Sequence, residues 1–327
     1  MLNNEPTVTF LMLSFNSRDY IKSALNSAFE QNYDNLEIIV SDDCSTDDTC
    51  EIVKRMFGDY AGNKKCSLIE NSKNKCTLNN FISATESASG ELIVVSASDD
   101  ISKPDRVSEI VKQWSLSGRP GVVYSDCEII DESGVVVSGS FLNQSPGSMA
   151  QNIFGVKRND ILGCSAAYSA EFVRQVPRIV GRYLFEDSFM NFMSHYYHVN
   201  VIFIGVPLVG YRAHSASVSN SGSSWLNFND EKKNQIKAAE YDCNKSDMYT
   251  KIAAIAESDG EIEIARKTLG HSDLFKIKSE WYSYGLARRF LLLSKSKYGL
   301  LRRWMIARFF GLNFFVVLKL AMNYVRR

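Results

Sequence analysis

Four short apolar runs in the first hundred residues, separated by segments of helical period, restrict this chain to a mostly parallel sheet covered by helices. The runs are residues 8–14, 37–40, 67–69 and 91–96. Between them, residues 20–31 set Ile21, Ala24, Leu25, Ala28 and Phe29 along one helical stripe. Residues 46–56 read as a second helix, with Thr46 as N-cap ahead of Asp47 and Asp48, and residues 78–88 as a third. Parallel strands need a long crossover, usually a helix, so this alternation predicts an α/β fold.

After Gly90 turns the chain into the fourth strand, further strands are expected at 122–124, 134–139 and 201–204, and a helix at 186–197. A Ser-rich stretch at 216–224 ends the first domain, residues 1–224. A helical region follows at 225–280, then a tail at 281–327. The tail holds ten basic side chains and no acidic one, leaving 27 basic against 37 acidic in the preceding 280 residues. Helices are expected over 281–293 and 300–325, about a turn at 294–299. Large apolar residues interleaved with positive charge alone suit a helix lying in the headgroup region of an anionic leaflet. The plainer alternative is a helix docked on the domain with solvated arginines.

With 327 residues, 45% hydrophobic and 23% charged, the chain can fold one large domain plus an appendage, and it is not a disordered protein. A formal net charge of zero gives no sign of nucleic acid. The seven cysteines are scattered and form no CxxC pair, which fits reduced thiols in a cytosolic compartment better than disulfides or zinc. The first nine residues, with Glu5 and Pro6, are not expected to act as a signal peptide. No run of 18 apolar residues is present; the nearest, 314–325, is broken by Lys319 and Asn323.

Polar clusters follow the strands, where open α/β sheets collect their ligands. They are Asp42-Asp43 through Asp47-Asp48, then Asp99-Asp100, then Glu186-Asp187, and finally Tyr211-Arg212-Ala213-His214. A carboxylate there can accept from a base or ribose, or help hold a divalent cation that a diphosphate otherwise coordinates. Taken singly, such pairs also serve to cap helices.

In their order and spacing these clusters resemble the inverting family 2 glycosyltransferases. Residues 8–53 resemble the family's opening, and the likeness continues through Asn80–Gly90, the Asp-Asp-x-x-x-Pro pattern from Asp99, Glu186-Asp187 and Tyr-Arg-x-His at 211–214. The resemblance implies a GT-A fold, a Rossmann-related mixed sheet flanked by helices, with a C-terminal helical extension. It implies a donor site of Ser14, Phe15, Asn16, Asp42, Asp43, Asn79, Asp99 and Arg212, with Phe15 stacked on the base. It makes Asp187 the catalytic base, supported by Glu186, and Asp99, Asp100 and His214 the ligands of Mn²⁺ or Mg²⁺. His214 could equally serve a structural hydrogen bond. Three positions depart from the pattern: Ala97 replaces the first Asp of Asp-x-Asp, Asn79 an Arg, and Leu13 a Pro.

The expected reaction is transfer of a sugar from a nucleotide diphosphate donor, UDP-linked in the commonest case, to an acceptor hydroxyl with inversion. The implied acceptor is a polyprenyl-diphosphate-linked glycan for surface polysaccharide such as O-antigen. The implied location is the cytoplasmic face of the plasma membrane, held peripherally. A sugar nucleotidyltransferase would need a Gly-rich phosphate loop after the first strand, and a dinucleotide dehydrogenase a GxGxxG, and neither is present. A non-catalytic sugar- or lipid-binding module stays open, because Ala97 and Asn79 make a degenerate site conceivable.

Overall fold

The computed structural model describes residues 5–141, 161–183, 186–213, 228–295, 305–306 and 308–309. The chain divides into two compact units, Met1–Ser217 and Val218–Arg327.

The first unit is built on a nine-stranded mixed sheet in the order β3-β2-β1-β4-β8-β6-β9-β5, with β7 paired to β6. Strands β1 (Val8–Ser14), β2 (Leu36–Asp42), β3 (Lys65–Glu70) and β4 (Leu92–Ala97) are mutually parallel. Helices α1 (Ile21–Phe29), α2 (Thr49–Asp59) and α3 (Cys76–Ala84) make the crossovers between them. Strands β1 and β2 are covered on both faces, which is why they read as unbroken apolar runs and not as alternation. One layer of core joins Phe10, Met12, Ile38 and Val94 to Ala24 and Leu25 of α1 and to Val107, Ile110 and Trp114 of α4 (Arg106–Leu116).

Past β4 the sheet becomes mixed. The two-residue β5 (Ile101–Ser102) pairs antiparallel with β9 (Val201–Arg212), and β8 (Ala166–Ser169) runs antiparallel to both β4 and β6 (Val122–Ile130). Strands β6 and β9 are parallel to each other, and β7 (Val136–Ser138) forms a hairpin with β6. Helix α5 (Ala170–Gln175) follows β8 under a Ser169 side-chain cap, and α6 (Glu186–Tyr196) leads back to β9.

Several boundaries differ from expectation, and three of the shifts have a clear local setting. Thr46 does not cap α2, because Asn16 Oδ1 accepts from both its backbone N–H (2.8 Å) and its hydroxyl (3.3 Å). The helix starts at Thr49, whose N–H donates to Asp47 Oδ1 at 3.1 Å. Strands β6 and β9 extend six and eight residues beyond their predicted ends. Their pairing slips on each side of the Asp126–Pro207 pair, and these irregularities leave Gly205, Val206 and Leu208 of β9 without a partner in the register.

In the second unit, α7 (Phe228–Ser258) and α8 (Ile262–Glu280) form a helical hairpin about Gly260, at φ 82°. Tyr249 stacks on Phe275, and the hydroxyls of Ser246, Thr250 and Ser272 bond one another across the hairpin. Next, α9 (Leu286–Lys295) begins beside the buried Trp281. The buried Arg289 guanidinium donates to the carbonyls of Trp281, Tyr282 and Phe309. Among the described residues no helix is long and apolar enough to cross a membrane. Most of the predicted helix at 300–325, and the Ser-rich stretch at 216–224, lie outside the described residues.

Candidate active site

Because β1, β2, β3, β4, β6 and β9 share one direction, the loops that follow them gather at one edge of the sheet. Three non-glycine residues there have positive φ, Asn16 (49°) and Cys44 (66°) in loops and Cys76 (62°) at the start of α3. Side chains in that region are disfavoured unless surrounding contacts hold them, and such strain concentrates at binding sites.

At the β1–β2 end, Phe15 projects with 48% of its surface exposed, while Ser14 beneath it is buried with its hydroxyl unpartnered. Asn16 spends its side chain on Thr46, and its backbone N–H donates to Ser45 Oγ at 2.7 Å. Asp42 is committed as well: its two oxygens accept from the Ser45 N–H (2.7 Å) and hydroxyl (2.6 Å). Asp43 is buried too; its Oδ1 accepts the Lys75 N–H at 2.7 Å, and the Cys76 backbone N–H also bonds its carboxyl. Burial pushes its carboxyl above the ordinary aspartate value, and the neighbouring Asp42 adds to this. Asn79 lies on α3 and donates to the Gly181 carbonyl at 2.5 Å, tying α3 to the segment ahead of α6.

The β4 end holds Asp99, half-buried, and Asp100, wholly buried. Asp100 Oδ1 accepts the Arg212 backbone N–H at 2.8 Å, which pins the end of β9 to the end of β4. Burial and the charge of Asp99 push Asp100 up to about 7. The Arg212 guanidinium donates to the carbonyls of Asp99 (2.7 Å), Asp131 (2.9 Å) and Glu132 (2.7 Å) and lies over the Tyr20 ring. It therefore clasps three loops together. His214, one residue beyond the end of a described stretch, lies outside the described residues. Among those residues no three His, Cys, Asp or Glu side chains form a metal cage. The Asp99 carboxylate and the oxygens of a diphosphate are together a donor set that suits Mg²⁺ or Mn²⁺.

Glu186 and Asp187 open α6. A short helical turn, Gly163–Ser165, brings them to the same edge, since β8 leaves it antiparallel to β4. Gly163 sits against Glu186, and the Cys164 thiol stands beside Asp100. One three-residue turn thus separates the two acidic centres. Tyr168 is wholly buried with its hydroxyl unpartnered, and burial, followed by the charges of the two carboxylates, makes it a weaker acid than an ordinary tyrosine. Burial and the adjacent Asp187 push Glu186 up to about 8 from an ordinary 4.5.

That shift has a sign that can be measured. Between about 4.5 and 8 the folded protein keeps a proton on Glu186 that the unfolded chain releases, so stability is full below that window and falls as pH rises through it. Glu186→Gln removes this contribution. Its urea midpoint should decline less than the parent's over the same window; parallel curves would show that Glu186 is ionised in the folded protein.

Sequence reasoning missed Lys75, which holds Asp43, the Asp131–Glu132 loop gripped by Arg212, and Tyr168. The polar run Asn71–Lys75 after β3 carried a usable signal, because it follows a parallel strand. Tyr168 carried none, since a tyrosine in a short apolar strand reads as core.

A mixed sheet of this order, with acidic loops after β2 and β4 and an acidic pair opening the helix before the last long strand, defines a GT-A fold. Residues 9–176 match the family described as Glycosyl transferase family 2, and the chain belongs to that family. TuaG of Bacillus subtilis, assigned as a glycosyltransferase of teichuronic acid biosynthesis, is 33% identical over 164 residues, covering 50% of this chain and 62% of TuaG. EpsE of the same organism, assigned as a glycosyltransferase, is 31% identical over 134 residues, covering 41% of this chain and 48% of EpsE. The chain thus spans about half the length of the curated relatives it matches. Among solved structures, S. aureus TarS 1–349 in complex with UDP-GlcNAc superposes with a TM-score of 0.52 at 15% identity, covering 93% of this chain and 80% of that one. The mannosyltransferase PcManGT from Pyrobaculum calidifontis, in complex with GDP-Man and Mn²⁺, gives 0.52 at 17% identity, covering 98% and 88%.

Proposed function

We propose that this protein transfers a sugar from a nucleotide diphosphate sugar, UDP-linked foremost, to an acceptor hydroxyl with inversion. One observation carries the reading: a single sheet edge gathers an exposed ring (Phe15), a buried carboxylate with spare acceptor capacity (Asp43), the Asp99 carboxylate and the Glu186–Asp187 pair. Phe15 stacks on the base and Asp43 accepts from it, while the buried Ser14, Asn16, Asp42 and Asn79 fix the loops around them. Arg212 acts by holding Asp99 and the loop after β6. Asp187 takes the proton of the acceptor hydroxyl as that oxygen attacks the anomeric carbon. Glu186, holding its own proton, leaves Asp187 as the base. Mn²⁺ or Mg²⁺ supplies charge neutralisation for the departing diphosphate. Asp99 is the residue that would hold it, with Asp100 behind and His214 as a further ligand.

The acceptor proposed is a polyprenyl-diphosphate-linked glycan in surface polysaccharide synthesis, reached from the cytoplasmic face of the plasma membrane. Relatives named for such polymers support this reading. So does the wholly basic tail, and on α9 Leu286, Phe290 and Leu291 are exposed. The domain scheme of 1–224, 225–280 and 281–327 is kept as part of the proposal. Similar folds carry UDP-GlcNAc in one protein and GDP-Man in another, so a donor panel is the deciding experiment. Nucleotide release is expected from one donor class, dependent on Mn²⁺ and raised by anionic vesicles containing a polyprenyl-diphosphate glycan. No release from any nucleotide sugar would favour a binding module instead.

A further inference from the structure

Gly163 is not required by its backbone. Among the described glycines only Gly118, Gly134 and Gly260 have a positive φ. What position 163 lacks is room. A Cβ there would stand 3.2 Å from Glu186 Cδ and 3.4 Å from Asp187 Cβ, and nearer still to Glu186 Oε1. The group in the way is the far end of a flexible side chain, so the fold can accommodate a methyl by moving the carboxyl. The carboxyl cannot then stay where it is. Tyr168, its ring packed on Phe81 and Phe172, fills the buried space near the pair.

We infer that Gly163 is a positioning residue for the Glu186–Asp187 pair, its bare backbone forming the seat on which the Glu186 carboxyl rests. This inference rests on the proposed sugar transfer with Asp187 as base. The turn that carries Gly163 also places Cys164 beside Asp100, so the seat is fixed to the strand end that bears Asp99. A carboxyl displaced from the seat disturbs its neighbour's position and charge without touching the donor loops after β1 and β2.

The test is a cycle of Gly163→Ala, Glu186→Asp and the double variant, read by kcat, donor KM, the pH profile of kcat and melting temperature. Misplacing a reacting group by about 1 Å costs up to about 100-fold. Gly163→Ala is therefore expected to lower kcat roughly 10- to 100-fold and shift the pH profile. Donor KM should stay within about threefold, and the melting temperature near the parent's. Aspartate is one methylene shorter and retracts the carboxyl, so in the Glu186→Asp background the added methyl should cost at most about threefold, a coupling only neighbours show. Equal losses in both backgrounds, a rise in donor KM with kcat unchanged, a parental profile, or failure of Gly163→Ala to fold would each overturn the inference. A parent protein that releases no nucleotide would overturn the proposed reaction itself, a result separable from these.

Discussion

Asp187→Asn is expected to lower sugar transfer by about 10²–10⁴-fold while leaving donor KM within about threefold, the range by which a positioned general base accelerates proton transfer. The substitution is nearly isosteric. Asp187 Oδ1 accepts the Ser188 N–H at 2.6 Å, and an amide oxygen can do the same, so the start of α6 is retained. What the amide cannot do is accept a proton from an attacking hydroxyl. The donor loops belong to other strands, so donor binding is untouched. Single-turnover transfer with a saturating nucleotide sugar is the measurement. Transfer within about threefold of the parent, with donor binding intact, would show that the proton goes elsewhere.

If Asp99 holds the ion as proposed, Asp99→Asn should cost about 10²-fold or more in kcat and raise the Mn²⁺ concentration needed for half-maximal rate, because several kcal/mol of leaving-group stabilisation would depend on that ion. The choice of residue matters. Arg212 grips Asp99 through the backbone carbonyl, so changing the side chain leaves the clasp in place. Asp100→Asn is a poorer probe, since Asp100 itself holds the Arg212 N–H. Titrating nucleotide release with Mn²⁺, alongside calorimetry of Mn²⁺ with the nucleoside diphosphate, separates lost metal binding from lost chemistry. An unchanged Mn²⁺ requirement would mean that the ion is held by other residues.

Strands β1, β2 and β4 and the crossover helices follow from apolar runs and helical stripes because both strand faces are buried, and burial leaves a continuous signature; the partly exposed edge strand β3 shows only its middle. Where a strand is short or irregularly paired, the signature fails. Strand β8 is four residues long, β5 two, and β9 passes through Gly205 and Pro207, so none announces its full length. The acidic clusters could be placed because position after a strand suffices to locate them. Their division of labour could not. Asp42 and Asp43 are adjacent in sequence, yet one is bonded by Ser45 close by and the other by the backbone N–H groups of Lys75, 32 residues away, and Cys76. Arg212 belongs to the expected donor site in sequence, and only the fold shows that its guanidinium also holds the carbonyls of Asp99, Asp131 and Glu132.

The position of that clasp also sets an order of events during synthesis. Asp99 is translated more than a hundred residues before Arg212, yet Arg212 supplies the bonds that fix its carbonyl and join it to the loop after β6. At about 5–20 residues per second, the intervening chain takes several seconds or more to emerge from a ribosome. During that interval the first parallel strands can already be paired while the acidic edge lies open. The catalytic end of the sheet is completed only when the final strand arrives, so a nascent chain halted before it would hold a sheet without a working centre.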